Sequence, residues 1–207
     1  MKRRGFTIIE LILVIAIIGI LMTLVMTSVK GSIAASREKR AEAIKNSIQL
    51  GLNSYYALKG QWPGTFGTMV RDGLERKPNR LGVNGENVPD FYYLDSDESR
   101  DNELIQEMIR ELVKETREGN VLIDVSGLIV SRSRGDHADR TRGRDFTEAI
   151  RGTKQNPKAW RVSEMKFGYL QPDNGCFRSF DIIYNMSSDL LMVYIQGEYE
   201  NHKFQKW

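Results

Sequence analysis

The sequence predicts an α+β protein in which one long N-terminal helix, membrane-spanning in its first half, packs on a C-terminal antiparallel β-sheet. Three observations carry that prediction. An apolar run whose only charge is Glu10 extends through Val29 and is stopped by Lys30. Beyond it, Ala41, Ile44, Ile48, Leu52 and Tyr55 recur at steps of three or four, the spacing of one helical face. Near the C-terminus, residues 165–170, 177–184 and 190–195 are β-rich runs. Pro172-Asp173-Asn174-Gly175 and Asn185-Met186-Ser187-Ser188-Asp189 separate them with turn-forming residues, so an antiparallel meander is expected, covered by the helical stripe.

The N-terminal run is long enough to span a membrane, whose hydrocarbon core of roughly 30 Å needs about 20 helical residues. Glu10 is the exception to its apolar character. A carboxylate at membrane depth costs on the order of 3 kcal/mol even on lenient scales, which marks it as functional and in need of a partner. Before it stand the basic residues Lys2, Arg3 and Arg4 and the hexapeptide Gly5-Phe6-Thr7-Ile8-Ile9-Glu10. This arrangement resembles the class III signal of type IV pilins and type II secretion pseudopilins. The resemblance implies a pilin-like fold and a cut after Gly5 by a membrane-embedded prepilin peptidase. It also implies N-methylation of the new terminus at Phe6 by a methyltransferase, and a role for Glu10 in bringing subunits into a helical filament. The partners implied are that enzyme, further copies and other pilin-like subunits, an inner-membrane assembly platform and membrane lipid. The chain then divides into a cytoplasmic leader (1–5), a transmembrane and filament-core helix (6–29), the amphipathic half of the same helix (30–58) and a globular head (59–207).

Two plainer readings compete. An ordinary secretory signal, with Ser32, Ala34 and Ala35 as the small residues at its cleavage site, has an apolar core of about 7–15 residues, shorter than this one, and no use for Glu10. A plain single-pass anchor carrying an extracytoplasmic binding module tolerates Glu10 at its helix start, where the dipole favours an acid. Basic residues do not orient the segment, because Lys30, Arg37, Lys39 and Arg40 face Lys2, Arg3 and Arg4 across it. Orientation, with the N-terminus cytoplasmic and the head periplasmic or extracellular, rests on the resemblance.

Composition narrows the remainder. The chain has 207 residues, 41% of them hydrophobic and 28% charged, enough beyond the apolar run for one modest head. Lys2, Arg3 and Arg4 account for the whole formal charge of +3, so the chain from Phe6 onward is neutral and a nucleic-acid-seeking surface is not implied. Cys176 is the single cysteine, which excludes an intrachain disulfide. Many major pilins close a C-terminal loop with a disulfide, so this departure tilts the resemblance toward pseudopilins or minor subunits.

The helix is expected to run from about Phe6 to about Leu58, with Arg37, Glu38, Lys45, Asn46 and Gln49 on its polar face. Gly60 suits a left-handed cap and Pro63 cannot continue the helix. Tyr56, Gly60, Trp62 and Pro63 look like the pattern that follows this helix in pseudopilins. Residues 65–89 read as connecting loop with a short turn of helix at 69–74, and Phe91-Tyr92-Tyr93-Leu94 as a short strand or core plug. Asp95, Asp97 and Asp101 offer carboxylates, and some pseudopilins hold calcium in a loop. The glycine and distal glutamate of a calcium loop are not at the required offsets, so an acidic helix start is favoured. That helix carries the stripe Leu104, Ile105, Met108, Ile109, Leu112 and Val113 and closes at Gly119. Residues 120–130 read as strand.

Arg132, Arg134, Arg140, Arg142 and Arg144 then mix with Asp136, His137 and Asp139 in a stretch that reads as a solvated loop. Its sharper alternatives are a dock for a neighbouring subunit's acidic helix, or for DNA in an uptake pilus. The absence of interleaved aromatics argues against single-strand binding, and no nucleic-acid partner is expected. His137 and His202 fall in loops, Cys176 has no local histidine, and neither a phosphate loop nor metal-ligand spacing occurs, so no enzyme, and no cofactor beyond the calcium candidates, is expected. The sequence predicts a filament subunit, of a type II secretion pseudopilus or else of a type IV pilus for adhesion, motility or DNA uptake.

Overall fold

The computed structural model describes residues 8–74, 91–120, 122–131, 143–151 and 160–195. Helix α1, Ile8–Lys59, is continuous for 52 residues, about 78 Å at 1.5 Å per residue. It contains no proline, and it ends where Gly60, at φ 69°, donates its N–H to the Tyr56 carbonyl at 2.8 Å. A side chain at that left-handed position would clash with its own backbone, which is why glycine stands there. Helices α2 (Gly64–Asp72), α3 (Ser99–Arg117) and α4 (Phe146–Arg151) belong to the head. The turn of helix expected at 69–74 is thus a nine-residue helix starting earlier, immediately after the extended Pro63.

The head holds two antiparallel sheets rather than one meander. Strands β1 (Phe91–Leu94), β6 (Asp181–Asn185) and β7 (Leu190–Tyr194) form the order β1-β6-β7. Strands β2 (Ile129–Ser131), β3 (Arg144–Asp145), β4 (Lys166–Leu170) and β5 (Phe177–Arg178) form the order β3-β2-β4-β5. The run expected as one strand over 177–184 divides at Ser179-Phe180: Arg178 pairs with Tyr169 in one sheet and Asp181 with Tyr194 in the other. Phe180 is fully buried at this corner. The run expected as strand over 120–130 is largely irregular, with a 3-10 turn at Val125–Gly127 and pairing only from Ile129. There the hydroxyl of Thr116 accepts from the Leu122 and Ile123 N–H groups, an alternative to a ladder.

The core forms where the stripes meet. Ala41, Ile44, Ile48, Leu52 and Tyr55 are all buried, as are Leu104, Ile105, Met108, Ile109, Leu112 and Val113 of α3. Burying one such aliphatic side chain contributes about 1.5–3 kcal/mol. Two glutamines complete the sheets by standing in for missing strands. Gln106 of α3 donates from Nε2 to the Phe167 carbonyl at 3.0 Å and accepts the Phe167 N–H on Oε1, because β5 is too short to reach that residue of β4. Gln49 of α1 does the same for the edge of β7, donating to the Leu191 carbonyl at 2.7 Å and accepting from the Val193 N–H at 2.8 Å. Gln49 therefore leaves the polar face where the sequence places it. Arg37 does so too, donating from Nη1 to the Pro172 carbonyl at 3.3 Å.

Candidate functional site

The half of α1 that precedes the head stands apart from it. Ile9, Leu13, Ile20 and Leu24 are all more than half exposed, and the most apolar window of the helix has no part buried within the chain. A core helix of a soluble protein would bury such a window; this one is long and apolar enough to cross a membrane. Glu10 lies in its first turn and is exposed. At that position it faces the positive end of the helix dipole, which favours a carboxylate. Gly5 and Phe6 lie outside the described residues.

Where α1 leaves the head at its other end, the structure assembles a site that the sequence reading only half anticipates. Tyr56 and Trp62 stack with ring centroids 4.4 Å apart, one before and one after the Gly60 cap. Both donate to Asp189, in the turn between β6 and β7: Trp62 Nε1 to Oδ1 at 2.9 Å and Tyr56 Oη to Oδ2. Tyr184 Oη adds a third donor to Oδ1 at 2.7 Å. Asp189 has φ 50°, the single positive value among the described non-glycine residues, and aspartate tolerates that conformation better than most. Burial on its own would raise the Asp189 carboxyl, but the three donors outweigh it and hold the group below the usual carboxylate range. Tyr184 is pushed well above the ordinary tyrosine range, first by burial and then by the Asp189 carboxylate. The Tyr-Gly-Trp-Pro pattern in the sequence located one half of this knot; nothing local identified Asp189, more than 120 residues further on.

Beside it, Gly67 of α2 allows close packing. A Cβ there would come within 1.8 Å of the Trp62 carbonyl oxygen, so a side chain would displace the segment that carries Trp62.

The acidic segment folds on itself. The Asp97 N–H donates to Asp95 Oδ1 at 2.8 Å, the Asp95 N–H reaches Asp101 Oδ2 at 3.4 Å, and Asp97 pairs with Arg178 at 3.1 Å. Asp95, Asp97 and Asp101 thus serve the turn and the start of α3. Among the described residues no group of three or more His, Cys, Asp or Glu side chains that could hold a metal ion is found. Beneath this turn Asp181 is fully buried and accepts the Ser96 N–H at 2.9 Å. Burial pushes its carboxyl up to about 6, aided by the charge of Asp95 and opposed by the bonds from Ser96.

The expected solvated loop over 132–144 fails at its last residue. Arg144 is in β3, paired with Val130, and its guanidinium lies 5.4 Å from the ring centre of Trp160. The exposed edge of β2 recruits this segment as a strand, and the aromatic face holds the cation. Arg132, Arg134, Arg140 and Arg142, with Asp136, His137 and Asp139, lie outside the described residues, as does His202. Cys176 is half-buried and in no disulfide.

A model of the prokaryotic N-terminal methylation motif matches residues 1–26. The chain is 38% identical over 61 residues to the fimbrial protein EcpC of Eikenella corrodens, covering 30% of this chain and 40% of that one. It is 34% identical over 62 residues to a fimbrial protein of Neisseria meningitidis serogroup B, covering 30% of this chain and 36% of that one. The chain thus spans well under half the length of these curated relatives, and no solved structure matches it. The chain thus carries the prokaryotic N-terminal methylation motif, and its apolar, unburied helix start and α+β head make a pilin-like architecture.

Proposed function

We propose that the protein is a structural, non-enzymatic subunit of a helical filament anchored in the bacterial inner membrane, cut after Gly5, methylated at Phe6 and extracted into the filament. The observation that supports it most is one continuous helix whose first half is apolar, bare of contacts with the head and marked by a single acid in its first turn. Cleavage would create a cation at Phe6, one helical turn from Glu10. Within one subunit the two groups meet poorly, since both belong to the same helix start. An adjoining subunit shifted along the axis brings them level, and in a low-dielectric core an unpaired partner is strongly unfavourable. The pair would set axial register.

Glu10→Ala is expected to leave insertion and cleavage intact and to reduce shear-released filaments severely, with Glu10→Asp intermediate. Normal filament yield from the Ala variant refutes the pairing. Intact mass that retains Met1 refutes the cleavage itself and favours a single-pass binding module, whereas a start near Ser36 refutes it in favour of an ordinary secretory signal. The lone Cys176 favours a pseudopilin or a minor subunit over a disulfide-closed major pilin. The fimbrial relatives favour the second reading, a type IV pilus subunit. Deleting the partner secretion or retraction ATPase and scoring filaments separates the two.

A further inference from the structure

Below the head, one face of α1 continues beyond the residues the head buries. Lys30, Ile33 and Arg37 follow one another at steps of three and four and share the face of Ala41 and Ile44. Lys30 and Ile33 are exposed and Arg37 is half-buried. Where this strip meets the head there is a cavity of about 110 Å³, lined by Arg37, Arg40, Ile44, Ile129, Tyr169 and Leu170. Its two arginines are held differently. Arg40 pairs with Asp145 at 2.8 Å, which neutralises it. Arg37 donates to the Pro172 carbonyl, which fixes the guanidinium and leaves its charge in place. Glu38 and Glu42 lie roughly 100° and 140° around the helix from Arg37 and do not face the notch.

The depth of these groups follows from the helix. Lys30 is the first charge after Val29, hence at the edge of the hydrocarbon, and Arg37 is about 10 Å further out with its side chain leaning back toward the helix start. The polar layer of a bilayer leaflet is about 5–7 Å deep, so the two cations bracket it.

The geometry points to a seat for the headgroup of an anionic phospholipid in this notch, with the phosphate between Lys30 and Arg37 and the acyl chains running back along the apolar half of α1. The occupant is chosen by order and charge: apolar helix, then cations, then an apolar-floored cavity match a lipid's chains, phosphate and headgroup in sequence. The inference rests on the membrane-inserted stage proposed above. A subunit leaving the bilayer for a filament would shed this lipid.

Native mass spectrometry of the full chain in neutral detergent, titrated with phosphatidylglycerol or phosphatidylcholine, tests the seat. One phosphatidylglycerol is expected to be retained in preference to phosphatidylcholine. Lys30→Gln and Arg37→Gln should each weaken retention about fivefold, the effect of one basic residue near an anionic surface. Lys30 lies outside the head, so its loss reads binding rather than folding. Arg37→Lys should keep most of the retention and Lys39→Gln, on another face, all of it. Equal retention of both lipids, or an equal loss from Lys39→Gln, overturns the seat. Dimers that exclude phosphatidylglycerol overturn it as well, by assigning the notch to a second copy. Flotation with phosphatidylcholine vesicles, with and without added phosphatidylglycerol, reads the underlying membrane stage separately: a chain that floats with neither removes that stage, whereas one that floats equally with both removes only the seat.

Discussion

Replacing Asp189 by alanine tests whether the end of α1 is tied to the β6–β7 turn by one carboxylate. The substitution leaves Trp62 and Tyr184, 3% and 4% exposed, with indole and phenol donors that have lost their acceptor. At about 1.5 kcal/mol for each unsatisfied donor, the loss is about 3 kcal/mol. Placing alanine at φ 50° adds about 1 kcal/mol of backbone strain. Tyr56 is half-exposed and water replaces its partner, so it adds nothing to the sum. The total, about 4 kcal/mol, corresponds to a Tm lower by about 8–16 °C for a chain of this size. Asp189→Asn keeps the left-handed conformation and an oxygen facing Trp62 and Tyr184, and should cost about 1 kcal/mol through lost charge. The depressed carboxyl also predicts a pH dependence. Its stabilising contribution is complete above the unfolded value near 4 and is lost as pH falls through the lower folded value. Thermal melts of the full chain in detergent, followed by tryptophan fluorescence from pH 2 to 7, measure all three. An alanine variant as stable as the asparagine variant, or a wild-type melt with no acid loss beyond that of Asp189→Asn, refutes the reasoning.

Asp181 should act with the opposite sign. Its folded carboxyl is raised to about 6, so the folded state binds the extra proton and stability falls as pH climbs from about 4 to about 6. Asp181→Asn should flatten that part of the melt profile, and an unchanged slope counts against burial as the cause. Gln106→Leu removes both bonds to the Phe167 backbone and should cost about 3 kcal/mol in urea unfolding, with faster hydrogen exchange at the Phe167 amide. Protection equal to wild type would show that β4 needs no surrogate strand there. Gly67→Ala should move Trp62 away from Asp189, seen as a changed tryptophan emission with α1 still helical by circular dichroism.

Features that repeat along the chain are legible from its residues alone. The stripe from Ala41 to Tyr55 and the stripe from Leu104 to Val113 are read from residues three or four apart, and those helical faces follow because burial of one face decides their stability, while the apolar run with its single acid is read from its length and lack of other charge. The Gly60 and Pro63 stop is equally local, resting on backbone freedom that neighbours do not alter. The tertiary structure decided what depends on distant partners. Nothing in the run 177–184 tells that Ser179-Phe180 turns from one sheet into the other, since both flanks are equally β-prone and only the edges of β4 and β7 select them. Gln49 and Gln106 look like polar surface on a helical wheel, yet an amide carries a donor and an acceptor at the spacing of a peptide, and each fills a gap in a ladder whose other members lie far along the chain. Asp189 looked like one more turn residue. It became the anchor of α1 because Tyr56, Trp62 and Tyr184 converge on it once the helix has docked, and a carboxylate's capacity for several donors has no signature in sequence until those donors are brought together.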